Sequence, residues 1–379
     1  MNTELPQYDG LNIAAFQHSF DDMSESYKLF WFKAIFDKAI DPNENRNFYT
    51  FDEIICSMLA DAWYMVSEYH LNLGPSDKIE EVLKYLCDND KYKFKSSCKK
   101  DEMIETFSAI DDPVLKNAKK VLTYNVPYRF QVPITGMKNG DFKGSTRDVA
   151  AMINSSEGII YKIKVEPYKA LQNMIFINPT WKEYFKVNAG IINGWIQYNL
   201  IKYLQRRNPA VPGIPDKIVP PEERDLKEVR DYWKTFLTIE PMLDIYQSKK
   251  IILGDSFSID HFVPWSYVAH DELWNLCPTA KEVNSSKNNS LPNWDKYFKE
   301  LVNFEYAVYK ETLSVDKLMG NFNKCIKKNV NSEKALTSLY VPNNSKEQFC
   351  NVLEELVKPS YFAAKNMGFT YGWEVVKEK

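Results

Sequence analysis

One short stretch of the chain, residues 251–292, carries side chains whose types and spacing suit hydrolytic chemistry. Asp260 and His261 are adjacent, and Asn284 follows His261 by 23 positions. The imidazole of histidine has a pKa of about 6.5, so it can take a proton from water near neutral pH. Carboxylate and amide oxygens are hard ligands of the kind that Mg²⁺ or Mn²⁺ prefers. The stretch therefore combines a candidate general base with candidate metal ligands.

The residues before this pair predict a short strand. Phe257 and Ile259 alternate with polar positions and lead into Asp260 and His261, and Pro264 ends the segment. Neighbouring side chains on a regular strand point to opposite faces. If Asp260 and His261 act on one phosphate, they must therefore lie at a strand end or at a distortion.

The residues after the pair predict a loop, a second strand and a helix. Positions 276–277 suit a return strand. Thr279 followed three positions later by Glu282 is typical of a capping box at the start of a helix. That helix carries Asn284 on its second turn and Lys287 three residues further on, so both side chains project from one face.

A strand, a loop, a strand and a helix, with Asp-His on the first strand and Asn on the helix, resemble the ββα-metal finger of the HNH endonuclease superfamily. The spacing is most similar to the HNH domain of the CRISPR RNA-guided effector nucleases. The positions that match are Asp260, His261, Pro264, Asn275, Asn284, Lys287 and Pro292. With a long helical region before the finger, the whole chain resembles stand-alone bacterial HNH proteins of restriction and antiviral defence.

The resemblance implies a role for each matched polar residue. His261 is expected to be the general base of phosphodiester hydrolysis, and Asp260 and Asn284 to hold Mg²⁺ or Mn²⁺. Asn275 is expected to hold the loop through backbone hydrogen bonds and so to aim His261. Lys287 either donates to a phosphate or lies on a solvated helix face.

Many HNH fingers also bind a structural zinc through two CxxC pairs, which this chain lacks. Its cysteines are Cys56, Cys87, Cys98, Cys277, Cys325 and Cys350, and the closest two are eleven positions apart. We therefore expect no structural zinc and reduced thiols. Apolar packing must hold the finger instead, and the candidates for that packing are Phe262, Trp265, Tyr267 and Trp274.

Outside the finger the pattern is mainly helical. Aromatic residues at helical spacing predict a helix in 24–40, and Thr50 with Glu53 predicts a capping box before a second helix. Val, Ile and Tyr with Pro in 124–165 suggest short strands or extended segments. Thr180 with Glu183 predicts the start of one long helix. The expected fold class is α+β and mostly α. The expected domains are a helical recognition or partner domain at 1–245, the HNH finger at 246–300 and a C-terminal helical segment at 301–379.

Charge limits how this protein could bind nucleic acid. The 379 residues include 48 basic and 51 acidic side chains, a formal charge of −3. Residues 251–300 hold four lysines against seven carboxylates. Phosphate attraction dominates non-specific DNA affinity, so the finger alone should bind weakly. The helical region or a partner chain must then supply affinity, and a homo-oligomer would allow both strands to be cut.

We therefore expect a DNA endonuclease of prokaryotic antiviral defence or restriction. The alternatives are an effector nuclease controlled by a partner sensor protein, an RNA-cleaving enzyme, and a non-catalytic nucleic-acid-binding module. No run of about 18 apolar residues occurs, and the first ten residues lack the features of a secretory signal. We expect no membrane span and a cytoplasmic location.

Overall fold

The computed structural model describes residues 4–21, 23–88, 92, 94–95, 97–141, 143–221, 224–247, 257–328 and 331–375. The chain divides into two compact units. We call residues 1–67, 71–209 and 218–221 the N-terminal unit, and residues 68–70, 210–217 and 222–379 the C-terminal unit. The boundaries expected at 245 and 300 do not coincide with this division.

Helices dominate both units, and the strands are short. The helices are α1 (Ile13–Gln17), α2 (Tyr27–Ile40), α3 (Phe51–Ser67), α4 (Lys78–Cys87), α5 (Lys100–Ala109), α6 (Pro113–Leu122), α7 (Val126–Arg129), α8 (Val132–Thr135), α9 (Thr146–Asn154), α10 (Pro179–Val187), α11 (Ala189–Arg207), α12 (Lys227–Ile239), α13 (Trp265–Val268), α14 (Lys281–Lys287), α15 (Trp294–Ser314), α16 (Asp316–Lys328) and α17 (Lys346–Asn366). The strands are β1 (Phe48–Thr50), β2 (Tyr161–Lys164), β3 (Met174–Ile177), β4 (Phe257–His261), β5 (Leu276–Ala280), β6 (Leu291–Pro292) and β7 (Tyr371–Trp373).

The N-terminal unit is built around α2 and α3, whose aromatic and aliphatic side chains are buried. The capping box expected at Thr50 is present. The Glu53 carboxylate accepts from the Thr50 backbone N–H at 2.7 Å, and the Thr50 hydroxyl accepts from the Glu53 N–H at 3.2 Å. Strands β1, β3 and β2 form an antiparallel sheet in that order, with β3 in the middle.

Two expectations for this unit are wrong in detail. Residues 126–129 and 132–135 form α7 and α8 instead of strands. The Gln131 side chain, which lies between them, bonds to both the N–H and the C=O of Tyr161 and so takes the place of a paired strand. The single helix expected from Thr180 is divided. Asn178 caps α10 through the Thr180 N–H, and the non-helical backbone of Asn188 separates α10 from α11.

One hydrophobic core runs through the C-terminal unit. It includes Trp233 of α12, Phe262 and Trp274 of the finger region, and Phe304 of α15. The Trp233 and Phe304 ring centroids are 5.4 Å apart. Helix α12, placed before residue 245 in the sequence-based division, therefore packs with the finger and with the C-terminal helices.

The expected fold class, α+β and mostly α, is confirmed. None of the helices in the part of the chain that the structure describes is long and apolar enough to cross a membrane.

Candidate active site

A two-stranded hairpin and its connecting loop carry the first part of the site. Strands β4 and β5 are antiparallel, and His261 at the end of β4 pairs with Leu276. Asn275, directly before β5, is fully buried. Its amide accepts from the Val263 N–H at 2.8 Å and donates to the Val263 C=O at 2.9 Å. These two bonds fix the backbone that follows His261.

The helix that completes the finger begins differently from the sequence prediction. Ala280 is the N-cap of α14, and no side chain closes a capping box there. The Thr279 hydroxyl donates instead to Oδ2 of Asp244, at 2.5 Å. The same oxygen accepts from the Ala280 N–H at 3.1 Å. A carboxylate from outside the motif thus holds the start of the helix, which is electrostatically favourable at an N-terminus.

Asp260 is 3% exposed, and both of its carboxylate oxygens accept hydrogen bonds. The Tyr246 hydroxyl donates to Oδ2 at 2.6 Å, and the Lys287 ammonium lies 3.1 Å from Oδ1. Lys287 also donates to the C=O of His261 at 2.6 Å. Since Lys287 is 1% exposed, it does not lie on a solvated helix face, and that alternative is wrong.

His261 has different partners from its neighbour. Its Nε2 lies 2.6 Å from Oδ1 of Asp271, and the Arg224 guanidinium nitrogen Nη1 lies 3.0 Å from Nε2 and 3.3 Å from Nδ1. The same Nη1 donates to Asp271 at 3.1 Å. The Arg224 guanidinium also lies over the Trp265 ring, 5.1 Å from its centroid. Asp260 and His261 thus face separate polar groups, in agreement with strand alternation.

These contacts shift two pKa values. Burial lowers the pKa of His261, the hydrogen bond to Asp271 opposes that effect, and the Arg224 charge adds to it. Burial would raise the pKa of Asp271, but the hydrogen bond with His261 and the Arg224 charge outweigh it and lower that pKa. Near neutral pH the arrangement is therefore a neutral imidazole against an ionised carboxylate.

Three of the four aromatic residues expected to hold the finger by packing are buried: Phe262, Tyr267 and Trp274. The fourth, Trp265, is half-buried and supports Arg224. The Phe262 ring is 6.4 Å from that of Tyr361 in α17, so the finger packs on the C-terminal helices.

No hydrogen bond between described residues joins the two expected metal ligands, Asp260 and Asn284. Asn284 is half-buried on α14, and its side chain makes no hydrogen bond to Asp260 or to other residues that the structure describes. Within the described ranges, the His, Cys, Asp and Glu side chains form no group of three or more that could hold a metal ion.

Three polar partners were missed by reasoning from the sequence: Arg224, Tyr246 and Asp271. Asp271 lies ten positions after His261 in the same loop, and a loop carboxylate close to the expected base was the available signal. Arg224 and Tyr246 lie before β4 in the chain, and their approach depends on tertiary packing that no local pattern encodes.

Comparison with known protein families supports the interpretation of this segment as an HNH finger. Residues 244–293 match the HNH endonuclease family, so the chain contains an HNH segment and the resemblance inferred from residues 251–292 is confirmed. The match covers a small part of the chain. No curated protein and no solved structure gives a match.

Proposed function

We propose that the chain is an endonuclease that hydrolyses DNA phosphodiester bonds, with His261 as the general base. The family match supports a nuclease of the HNH type. The observation that supports His261 in particular is its 2.6 Å contact with Asp271, which pairs a base with an orienting carboxylate inside the matched segment.

The tautomer of His261 follows from this pair. An ionised carboxylate only accepts hydrogen bonds, so the Asp271 oxygen takes the hydrogen on Nε2. In the neutral imidazole Nδ1 then carries the lone pair, and the Arg224 Nη1 lies 3.3 Å from it. An attacking water must take the place of that contact to give its proton to Nδ1. Asp271 stabilises the imidazolium that results, as the carboxylate does in a serine protease triad.

Arg224 is better disposed than Lys287 to contact the phosphate. The Lys287 ammonium is buried on Asp260 and the His261 carbonyl, whereas the Arg224 side chain is 33% exposed. Its Nη1 contacts His261 and Asp271, and Nε and Nη2 make no hydrogen bond to other described residues. A guanidinium presents several N–H groups in a planar fork that suits phosphate oxygens. We assign the phosphate contact to Arg224 and a positioning role to Lys287.

HNH endonucleases use divalent metal ions, and Mg²⁺ or Mn²⁺ is the cation that we propose. The donor types of Asp260 and Asn284 suit such an ion. Their arrangement does not fit one, because both Asp260 oxygens bond to buried side chains and one of these side chains is already a cation. A metal on Asp260 requires the Lys287 ammonium to move, so we assign no step of the mechanism to it.

The wider role that we propose is prokaryotic antiviral defence or restriction in the cytoplasm. One finger breaks one phosphodiester bond at a time. A double-strand break therefore needs two chains or two encounters, which favours a homo-oligomer or a partner protein that controls assembly.

The test is incubation of the purified full chain with plasmid, linear DNA and RNA, with Mg²⁺, Mn²⁺ or chelator, and with His261→Ala as the control. We expect plasmid nicking that requires the added metal and is lost in the variant. Elemental analysis of untagged protein should find no stoichiometric zinc. Cleavage of RNA but not of DNA would change the proposed substrate from DNA to RNA. No cleavage of any substrate would reject the proposal.

A further inference from the structure

The outer face of the sheet in the N-terminal unit is not covered by other described parts of that unit. The inner face holds buried residues, among them Tyr49, Ile163 and Ile175. On the outer face, Phe48 of β1 is paired directly with Phe176 of β3, and Phe176 is paired with Lys162 of β2. One row across the sheet thus reads aromatic, aromatic, basic.

The two aromatic rings are accessible and close together. Phe48 is 42% exposed and Phe176 is 40% exposed. Their ring centroids are 6.0 Å apart, with the planes inclined by 35°. Single exposed apolar residues are ordinary on protein surfaces. Two phenylalanines in one cross-strand pair form a small platform with π-faces that are partly open to solvent.

Basic side chains border this platform along β2. Lys162 is exposed and makes no ion pair with other described residues, and Lys164 in the next row lies 2.7 Å from Glu166. Both side chains of that pair are substantially exposed, so the pair is weak and a phosphate can compete for Lys164. Tyr168 and Lys169, in the connection to β3, are also exposed.

We propose that this face binds an unpaired nucleic-acid strand, with bases stacked on Phe48 and Phe176 and phosphates held by Lys162 and Lys164. Stacking on aromatic side chains beside a basic track is how proteins bind single strands without reading their sequence. The lysines complement phosphate charge, which favours a nucleic acid over an apolar partner.

The proposal rests on the proposed function only for the class of ligand. Residues 251–300 are net acidic, so a nuclease of this composition needs an affinity site elsewhere. The sheet supplies one whose contacts tolerate any base, and binding there does not use His261. A strand held there would be unpaired DNA at a nick, an end or an opened duplex.

The experiment measures anisotropy of fluorescent oligo-dT and oligo-U with the full chain carrying His261→Ala, in chelator. Phe48→Leu with Phe176→Leu keeps apolar surface but removes the rings. Since a stacked base contributes about 1–3 kcal/mol, we expect this double variant to bind at least about tenfold more weakly. Ile191→Ala, which alters an exposed apolar residue on α11, is the control and should bind as the parent does.

The salt dependence separates stacking from charge. Each phosphate contact on a single strand contributes about 0.7 to the log–log slope of affinity against salt. Lys162→Gln with Lys164→Gln should lower that slope by about 1.4, whereas the phenylalanine variant should keep it. Circular dichroism confirms that each variant is folded.

Equal affinity of the phenylalanine variant and the Ile191→Ala control overturns the proposal. So does a change of oligomeric state in sedimentation that leaves oligonucleotide affinity unchanged, because the face would then bind a second copy. If the parent binds oligonucleotides through this face but the wild-type chain cleaves no nucleic acid, the platform stands and the nuclease proposal fails.

Discussion

The ammonium of Lys287 lies 3.1 Å from Oδ1 of Asp260, and both side chains are almost completely buried. Because Lys287 also donates to the His261 C=O, it fixes the two adjacent residues at the end of β4. A residue expected to contact substrate thus holds the hairpin to α14. The same contact keeps a cation on the carboxylate that would receive a metal.

Replacing Lys287 with Met should destabilise the chain. The change leaves Asp260 buried and charged without its cation, and breaking a buried pair on one side typically costs about 3–5 kcal/mol. Urea denaturation measures the effect. Lys281→Ala, on the exposed face of α14, is the matched control and should change stability by less than about 0.5 kcal/mol. Adding Asp260→Asn should recover much of the loss. Equal midpoints for the Lys287 and Lys281 variants would show that the pair is unimportant for stability.

His261→Ala should reduce cleavage by about 10²–10⁴, the usual effect of losing a general base. Asp271→Asn should reduce kcat by a smaller but clear factor, because an amide cannot fix the tautomer of His261 or stabilise the imidazolium. Initial rates on supercoiled plasmid measure both effects. His270→Ala, one residue before Asp271, is the control and should remain active. Full activity of either the His261 or the Asp271 variant would remove that residue from the mechanism.

Arg224→Ala should lower kcat/KM by about 10–100-fold, the effect of losing one charge-assisted hydrogen bond of roughly 1.5–3 kcal/mol. Arg224→Lys keeps the charge without the planar fork and should recover only part of the loss. Lys227→Ala removes the same charge from an exposed position three residues away, so it controls for general attraction of DNA. If Lys227→Ala and Arg224→Ala weaken cleavage equally, Arg224 makes no specific phosphate contact.

The sequence predicted those parts of the site that depend on short-range order. A few residues are enough to predict the strand that ends at Asp260 and His261 and the return strand from Leu276. Apolar and polar positions alternate before the pair, and Pro264 ends the first segment. The capping box at Thr279 failed because the Asp244 carboxylate competes for its hydroxyl. Arg224 approaches His261 across 37 residues of sequence, and only the fold brings them together.

Lys217 should make stability depend on pH above neutrality. It is fully buried in the C-terminal unit, where it donates to the carbonyls of Pro212 and Tyr267. Burial lowers its pKa to about 7, whereas in the unfolded chain the pKa is about 10.4. Between these values the unfolded chain binds more protons, so the free energy of unfolding rises with pH and this contribution is lost as pH falls to 7.

From pH 7 to 8.5 the gain should be about 1.5 kcal/mol relative to Lys217→Met, in which the titrating group is absent. Buried cysteines, whose pKa in the unfolded chain is about 8.5, begin to titrate in this window in both proteins, so the comparison with Lys217→Met cancels their effect. Urea denaturation at several pH values measures both proteins. Parallel pH profiles of the two would contradict the assignment.

The isolated finger, residues 246–300, should not fold by itself. Its core continues into α12 and α15–α17, and cutting at these positions removes Trp233, Phe304 and Tyr361. It also removes Asp244, which bonds to Thr279 and to the first turn of α14.

Residues 210–379 keep these contacts, so this longer fragment should show a cooperative thermal transition and dispersed amide resonances, whereas 246–300 should show neither. A cooperative transition in the short fragment would mean that the finger is an independent domain. The DNA affinity of residues 246–300 could then be compared directly with that of the full chain. Otherwise the fragment to compare with the full chain is 210–379. It should bind DNA weakly if the N-terminal unit supplies the affinity.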